Sequence, residues 1–354
     1  MLYRFLSIVN FMAILFWCSN LIAQQSCDGS CTCSNIDIAP AGIMNEHIHE
    51  KGKWMFSYRY MRMNMQGNTL GDHSISDDDI FVKYNYSMSS ASMNMDMHML
   101  MAMYGISDRF TIAAMTTYQN TSMKMNMFAG EAMQMPGMPV DAVMPSSQTI
   151  SGFSDTKLYG LYSIVKTDNL QLVAAAGLSI PTGSINSKPF SGLFNNLRAD
   201  YIMQNGTGTF DFLPGISLLV QNDYFDWGLQ LNGIIRPFNN SNGYHYGNES
   251  TTELWIAKKW NNWLSNSVRL EAYANQGIIG SDASLNTLME PSANSTNYGG
   301  FKAYLYPGIN FYPGTFFSTD IKLRLEYGMP IYQYAQGIQM ADKSSIIANL
   351  DFLF

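Results

Sequence analysis

Apolar and polar residues alternate along much of this chain, most clearly towards its end. Ile346, Ala348, Leu350, Phe352 and Phe354 share one parity; Ser345, Ile347, Asn349, Asp351 and Leu353 share the other. A period of two belongs to an extended strand, not to a helix. The preceding segment alternates more cleanly, with Phe317, Thr319, Ile321, Leu323, Leu325 and Tyr327 against Ser318, Asp320, Lys322, Arg324 and Glu326. Arg269 and Glu271 repeat the pattern opposite Val268, Leu270 and Ala272. A soluble sandwich would bury the apolar set, whereas a membrane barrel would turn it to lipid and give the charged set a watery lumen. The terminal aromatic, Phe354, lies in the apolar face, as in the last strand of bacterial outer-membrane barrels. The barrel-assembly machinery is therefore an expected partner during insertion, and outer-membrane lipid a permanent one.

Compact links at Gly105–Arg109, Val165–Asn169, Gln221–Phe225, Lys259–Trp263 and Phe311–Phe316 separate longer polar stretches. Those stretches run roughly over 66–94, 120–151, 181–206, 237–248, 275–299 and 328–343. Short turns at one end and long loops at the other are the barrel habit. The expected fold is all-β, a transmembrane antiparallel β-barrel of about 12 strands with short periplasmic turns and long extracellular loops. Strands are expected to start near Trp54, Met95, Phe110, Gly152, Leu170, Thr207, Asp226, Ser250, Leu264, Gly300, Phe317 and Ser344. Ile80 to Tyr86 also alternates and is placed within the first long loop. Trp54, Tyr104, Trp227, Trp255, Trp260, Trp263, Tyr306 and Tyr312 near strand ends suggest aromatic girdles.

The first residues change the picture again. Arg4 followed by an apolar run from Phe11 to Trp17, with a cleavage point after Ala23, reads as a signal peptide over 1–23. Residues 24–52 form a Cys- and His-containing periplasmic N-terminal segment, and 53–354 form the outer-membrane barrel. Export leaves Cys27, Cys31 and Cys33, an odd set. Two could pair and one remain, or the three could tether a soft metal, or the segment could be an incidental tail. A formal net charge of −7 argues against a nucleic-acid partner.

Of 26 methionines, many fall between Met44 and Met144 at every second residue. Met61, Met63 and Met65 form one run, Met93 to Met103 a second, and Met123, Met125 and Met127 a third. Thioethers are soft ligands that select Cu(I), while imidazoles suit Cu(II), Zn or Ni. The candidate metal contacts are Met44, His47, His49, Met61, Met63, Met65, Met95, Met97, His98, Met123, Met125 and Met127. Arg59 should face the lumen, which places Met61, Met63 and Met65 inside. Asp96 and His98 share a parity, which suggests they face the lumen and turn Met97, Met99 and Met101 outward. Met93 and Met95 are expected in the preceding loop, and Met123 to Met144 in a loop broken by Pro136, Pro139 and Pro145. Methionine is also an adaptable apolar filler, which is the alternative to metal contact.

Two stretches carry a resemblance: A-G-I-M-N-E-H-I-H-E-K-G-K-W-M-F-S-Y-R-Y-M-R-M from Ala41 and M-D-M-H-M-L-M-A-M-Y-G-I-S-D-R-F-T from Met95. Both resemble an exported family of outer-membrane barrels, labelled a meta-pathway phenol-degradation or transporter family. The resemblance covers residues 41–120 and implies passage of a small solute. The Met- and His-rich branch of that family implies heavy-metal, especially copper, handling.

The main expectation is therefore a Gram-negative outer-membrane channel whose Met/His-rich region handles or expels copper. The alternative is a channel for small aromatic or apolar solutes. Neither requires a cofactor, copper being a candidate ligand only. An enzyme is the third class, but Gly-x-Ser-x-Gly is absent and no histidine sits in a nucleophile motif.

Overall fold

A computed structural model describes residues 38–45, 47–128, 143–189, 197–222, 225–316 and 319–354. The expected signal peptide over 1–23 and Cys27, Cys31, Cys33, Glu46, Met133, Met135 and Met138 lie outside those residues.

The strands, in chain order, are β1 (Trp54–Gly71), β2 (His73–Ile75), β3 (Met88–Ser107), β4 (Phe110–Phe128), β5 (Val143–Phe153), β6 (Thr156–Lys166), β7 (Leu170–Ile180), β8 (Asp211–Val220), β9 (Phe225–Ile234), β10 (Tyr244–His245), β11 (Glu249–Lys259), β12 (Leu264–Asn275), β13 (Ile279–Gly280), β14 (Gly300–Phe316) and β15 (Thr319–Leu353). Among the described residues, eleven of them pair antiparallel in the ring β1-β3-β4-β6-β7-β8-β9-β11-β12-β14-β15, which closes through β15 and β1. The seam runs from Met55 opposite Leu353 to Asn64 opposite Ser344 before its register shifts. Closure leaves the ring without an open edge, so backbone polar groups are satisfied where lipid offers no partner. β5 lies outside the ring and pairs with the far half of β4.

Alternation sorts the two faces as expected at the C-terminus. Ile347, Asn349 and Asp351 are buried inside, while Ile346 and Phe354 are exposed. Arg324 and Glu326 are likewise inside, Leu323 and Tyr327 outside. Trp54, Phe56, Trp227, Trp260 and Trp263 are exposed at or near the short-turn end, where amphipathic rings suit a headgroup layer. Trp255, Tyr306 and Tyr312 are buried and do not belong to a girdle. They share the inward parity of Arg269, with Trp255 and Tyr306 directly opposite it on the neighbouring strands.

Ile80 to Tyr86 lies between strands, where the sequence reading places it, and Asp79–Lys83 forms a short helical turn that buries Ile80 and Phe81 beside Ile338. Several other local expectations are corrected. Strand β14 runs on through Phe311 to Phe316, because an irregularity between Phe311 and Gly314, with Gly314 at φ 96°, absorbs the Pro-Gly pair. Met93 and Met95 belong to β3, and Met123, Met125, Met127 and Met144 to the β4–β5 hairpin rather than a loop. Pro145 sits within β5, paired with Asn126; proline is tolerated there because β5 is an edge strand.

Candidate functional site

The lumen is occupied by the chain's own N-terminal stretch. The sequence expectation sets 24–52 ahead of the barrel. Its described part, residues 38–45 and 47–49, instead runs among inward-facing side chains. Ile38, Ala39, Ala41 and Ile43 are all at most 2% exposed. An extended stretch inside a lumen has backbone groups that need partners, and inward side chains supply them. Asn310 Nδ2 donates to the Ile38 carbonyl at 3.1 Å and Arg324 Nη1 to that of Ala39 at 3.1 Å. Arg59 donates to the carbonyls of Gly42 (3.2 Å) and Ile43 (3.1 Å), and Gln230 to that of Met44 (2.5 Å). In the other direction, the Gly42 N–H donates to Glu326 Oε2 at 2.6 Å and the His49 N–H to Thr111 Oγ1 at 2.9 Å.

The charges that hold this segment hold one another. Arg269 donates to Glu253 (2.8 Å), Glu271 (2.6 Å) and Glu326 (3.1 Å), with its guanidinium 3.8 Å from the Tyr306 ring centre. Arg324 pairs with Asp351 at 2.6 Å. Buried ions need such pairing, since their desolvation is expensive. Gly42 passes so close to Arg269 that a Cβ would lie 2.1 Å from its Nη2. Ile48 packs on Met55 and Met103, and Ala41 on Tyr304 and Tyr306 with Met61 against them. Beside the segment lies a cavity of about 270 Å³, bordered by Met44, Lys157, Tyr159, Gln230, Glu249 and Glu253.

Strands β1, β3 and β4 carry a wall of thioethers. Directly paired residues of antiparallel strands share a face. Arg59 is inside, and Met99 is its partner on β3. Met61 pairs with Met97, Met63 with Met95 and Met65 with Met93; Met93 pairs in turn with Met123 on β4. Met97, Met99 and Met101 therefore face the lumen, and Asp96 and His98 face out. This reverses the sequence expectation. The outward polar pair is stabilised on the exterior itself: Tyr60 Oη donates to Asp96 Oδ1 at 2.6 Å, and Tyr58 Oη meets His98 Nδ1 at 2.8 Å.

Towards the loop end the wall thickens into a buried cluster of Met65, Met88, Met93, Met123, Met125, Met127, Met203 and Met340, with Met63, Met95, Met144 and Met289 packed on it. Of the candidate contacts, Met63, Met65, Met95, Met123, Met125 and Met127 meet here. Met61 and Met97 lie in the next inward row, and Met44, His47 and His49 are on the threaded segment. His47 and His49 rings meet edge to face at 4.9 Å, near Thr111 and away from the cluster. His98 is excluded by its outward face. Among the described residues, no three His, Cys, Asp or Glu side chains converge in a metal-holding group. Met88, Met203, Met289 and Met340 were not singled out from sequence, since they stand outside the alternating runs.

The loops complete the mouth. Tyr201 is 2% exposed, accepts the Asp282 N–H at its hydroxyl (2.8 Å) and packs edge to face on Tyr244 and Tyr298. Arg198 pairs with Asp282. Asp200 and Glu290 are buried beside the methionine cluster. Burial pushes the Asp200 carboxyl up to about 6, and burial together with the Asp200 charge pushes Glu290 well above the usual range.

No known family model matches the chain, and no curated protein matches it. The named phenol-degradation and copper-associated relationship thus has no support beyond the residues that suggested it. Among solved structures, an outer-membrane channel of Pseudomonas putida F1 overlays with a TM-score of 0.53 at 12% identity, over 87% of this chain and 97% of that one. A Pseudomonas aeruginosa FadL homologue gives 0.40 at 9% identity, over 86% and 90%. The toluene transporter TodX of Pseudomonas putida gives 0.40 at 11% identity, over 86% and 90%. The last two overlays are too loose to carry an argument; the first matches in fold. The chain is a bacterial outer-membrane β-barrel. Its sealed ring, lipid-suited exterior and charged interior account for that placement on physical grounds.

Proposed function

We propose that this barrel is a channel for small apolar solutes, stoppered by its own residues 38–50. The observation that carries the proposal is the wall of inward thioethers on β1, β3 and β4. Methionine offers an apolar, polarizable and readily reshaped surface. Such a surface suits passing contact with aromatic or aliphatic molecules. Transport of this kind changes no bonds, so the reading invokes no catalytic residue.

Twelve staves underlie this reading. A closed ring whose neighbours are all antiparallel needs an even number of members. Ala335 pairs with Gly300 of β14 and with Gly71 of β1. Gln333 and Asp342 exchange hydrogen bonds at 2.9 and 2.8 Å. Both facts support a β15 folded back on itself as two staves. The short turns then face the periplasm and the long loops face outward.

Entry of N-phenyl-1-naphthylamine into cells expressing the barrel tests the proposal. Faster fluorescence rise than in cells with an empty vector is expected; equal rates with a folded, membrane-inserted barrel overturn it. A second reading, copper passage, is favoured by the same inward thioethers. Copper survival dependent on Met61, Met63 and Met65, with unchanged dye entry, would select it.

A further inference from the structure

Where the loops meet the methionine wall there is a chamber of about 30 Å³, room for a single water or ion. Met88, Met125 and Met289 border it, together with Asp200 and Glu290. The two acids are 2% and 6% exposed. Among the described residues, Oδ1 and Oδ2 of Asp200 and Oε2 of Glu290 accept no close hydrogen bond, the Ser292 hydroxyl being the neighbouring donor to both acids. Arg198 also borders the chamber, but its guanidinium is committed to Asp282. Carboxylates buried this deeply are expensive unless neutralised, by a proton in the empty chamber or by a cation that displaces it. The other side of the chamber offers sulfur. Gln148 Nε2 donates to Met125 Sδ at 3.6 Å and so fixes how that thioether is presented.

We infer that this chamber binds one soft monovalent cation between the carboxylates of Asp200 and Glu290 and the thioethers of Met88, Met125 and Met289. Hard dications favour six or more oxygens, more than two carboxylates and one amide provide. Neutral thioethers alone hold a cation loosely; an adjacent carboxylate supplies the compensating charge. The donors come from two barrel strands and two separate loops, so an occupied chamber staples residues 197–203 and 289–290 to the wall. This goes beyond the transport reading and stands whether or not apolar solutes pass.

The test uses Ag(I), a soft cation that needs no reductant, on the full-length barrel in detergent with its cysteine thiols alkylated beforehand, since free thiols would take up silver first. After loading and desalting, retained silver is counted by mass spectrometry and its shell read by X-ray absorption. One retained equivalent with a mixed sulfur and oxygen shell is expected. Asp200→Asn with Glu290→Gln should weaken retention at least tenfold, and so should Met88→Leu with Met289→Leu. Met329→Leu, on the outer face, should change it less than twofold. Silver should also protect residues 197–206 from protease. No retained equivalent, a shell of sulfur or oxygen alone, or retention indifferent to both site variants overturns the inference. The shell is measured on the unaltered protein, so the test survives a variant that fails to fold.

Discussion

Gly42→Ala is the smallest change that challenges the stopper. The added Cβ would lie 2.1 Å from Arg269 Nη2 and 2.3 Å from its Cζ. Arg269 cannot retreat freely, because Glu253, Glu271 and Glu326 hold it. The threaded segment must give way instead. It then loses the Gly42 N–H bond to Glu326 and the Arg59 bond to the Gly42 carbonyl. Hydrogen bonds to charged groups contribute roughly 1.5–3 kcal/mol each, so about 3–6 kcal/mol of the segment's hold is at risk. At about 1.4 kcal/mol per tenfold, the displaced population should rise by roughly a hundredfold or more. Planar-bilayer recording should show more frequent and larger openings in the variant. Hydrogen exchange should show lost protection over residues 38–50, with the barrel strands still protected. Unchanged conductance together with unchanged protection over 38–50 would refute the stopper and the contacts assigned to it.

Other expectations follow from the same contacts. Arg324→Ala strands the buried Asp351 charge and should cost about 3–5 kcal/mol in urea unfolding; the double variant with Asp351→Ala should recover part of it. Additive losses would deny the pairing. Leu100→Arg places a charge on the lipid face and should cost roughly 2–4 kcal/mol of folding free energy near the midplane. A near-neutral effect would contradict the outward parity of even residues on β3. Met123→Leu keeps volume and should cost less than about 1.5 kcal/mol in unfolding midpoint experiments. A much larger loss would mean the thioether does more than pack.

The strand pattern was legible where alternation is unbroken and a compact link marks the start. β1, β4, β7, β12 and β14 begin at Trp54, Phe110, Leu170, Leu264 and Gly300, as alternation indicated. On β3 alternation misleads, because methionine is apolar whichever way it faces and the shared parity of Asp96 and His98 points to the lumen. The deciding fact lies across the ladder, where Met99 meets Arg59. The threaded segment left no periodic mark, since a chain enclosed on all sides has no exposed parity. Met203, Met289, Asp200 and Glu290 were unreadable for a related reason: each is isolated in a loop, and only folding gathers them.

The lengths of the strands explain what gathers them. β1, β3 and β4 have 18, 20 and 19 residues, whereas β6, β7, β8 and β9 have 11, 11, 10 and 10. About 9–11 tilted residues cross a bilayer, so the methionine strands overhang the lipid. On the overhang the outer positions are polar, Asn64, Gln66, Asn94, Asn120 and Ser122, and water can cover them. The inner positions are Met65, Met93, Met123 and Met125, which need an apolar partner, and the loop residues Ile202, Met203 and Met289 provide it. The wall and the mouth loops are therefore one packing unit standing above the membrane. Met203→Ala, at 0% exposure, should weaken that unit by about 2–5 kcal/mol. Because the unit lies outside the lipid, the loss should be local. Amides of 197–206 should exchange far faster while those of β7, β8 and β12 keep their protection. Equal loss across the whole ring would show that mouth and barrel unfold together and that the overhang has no independent stability.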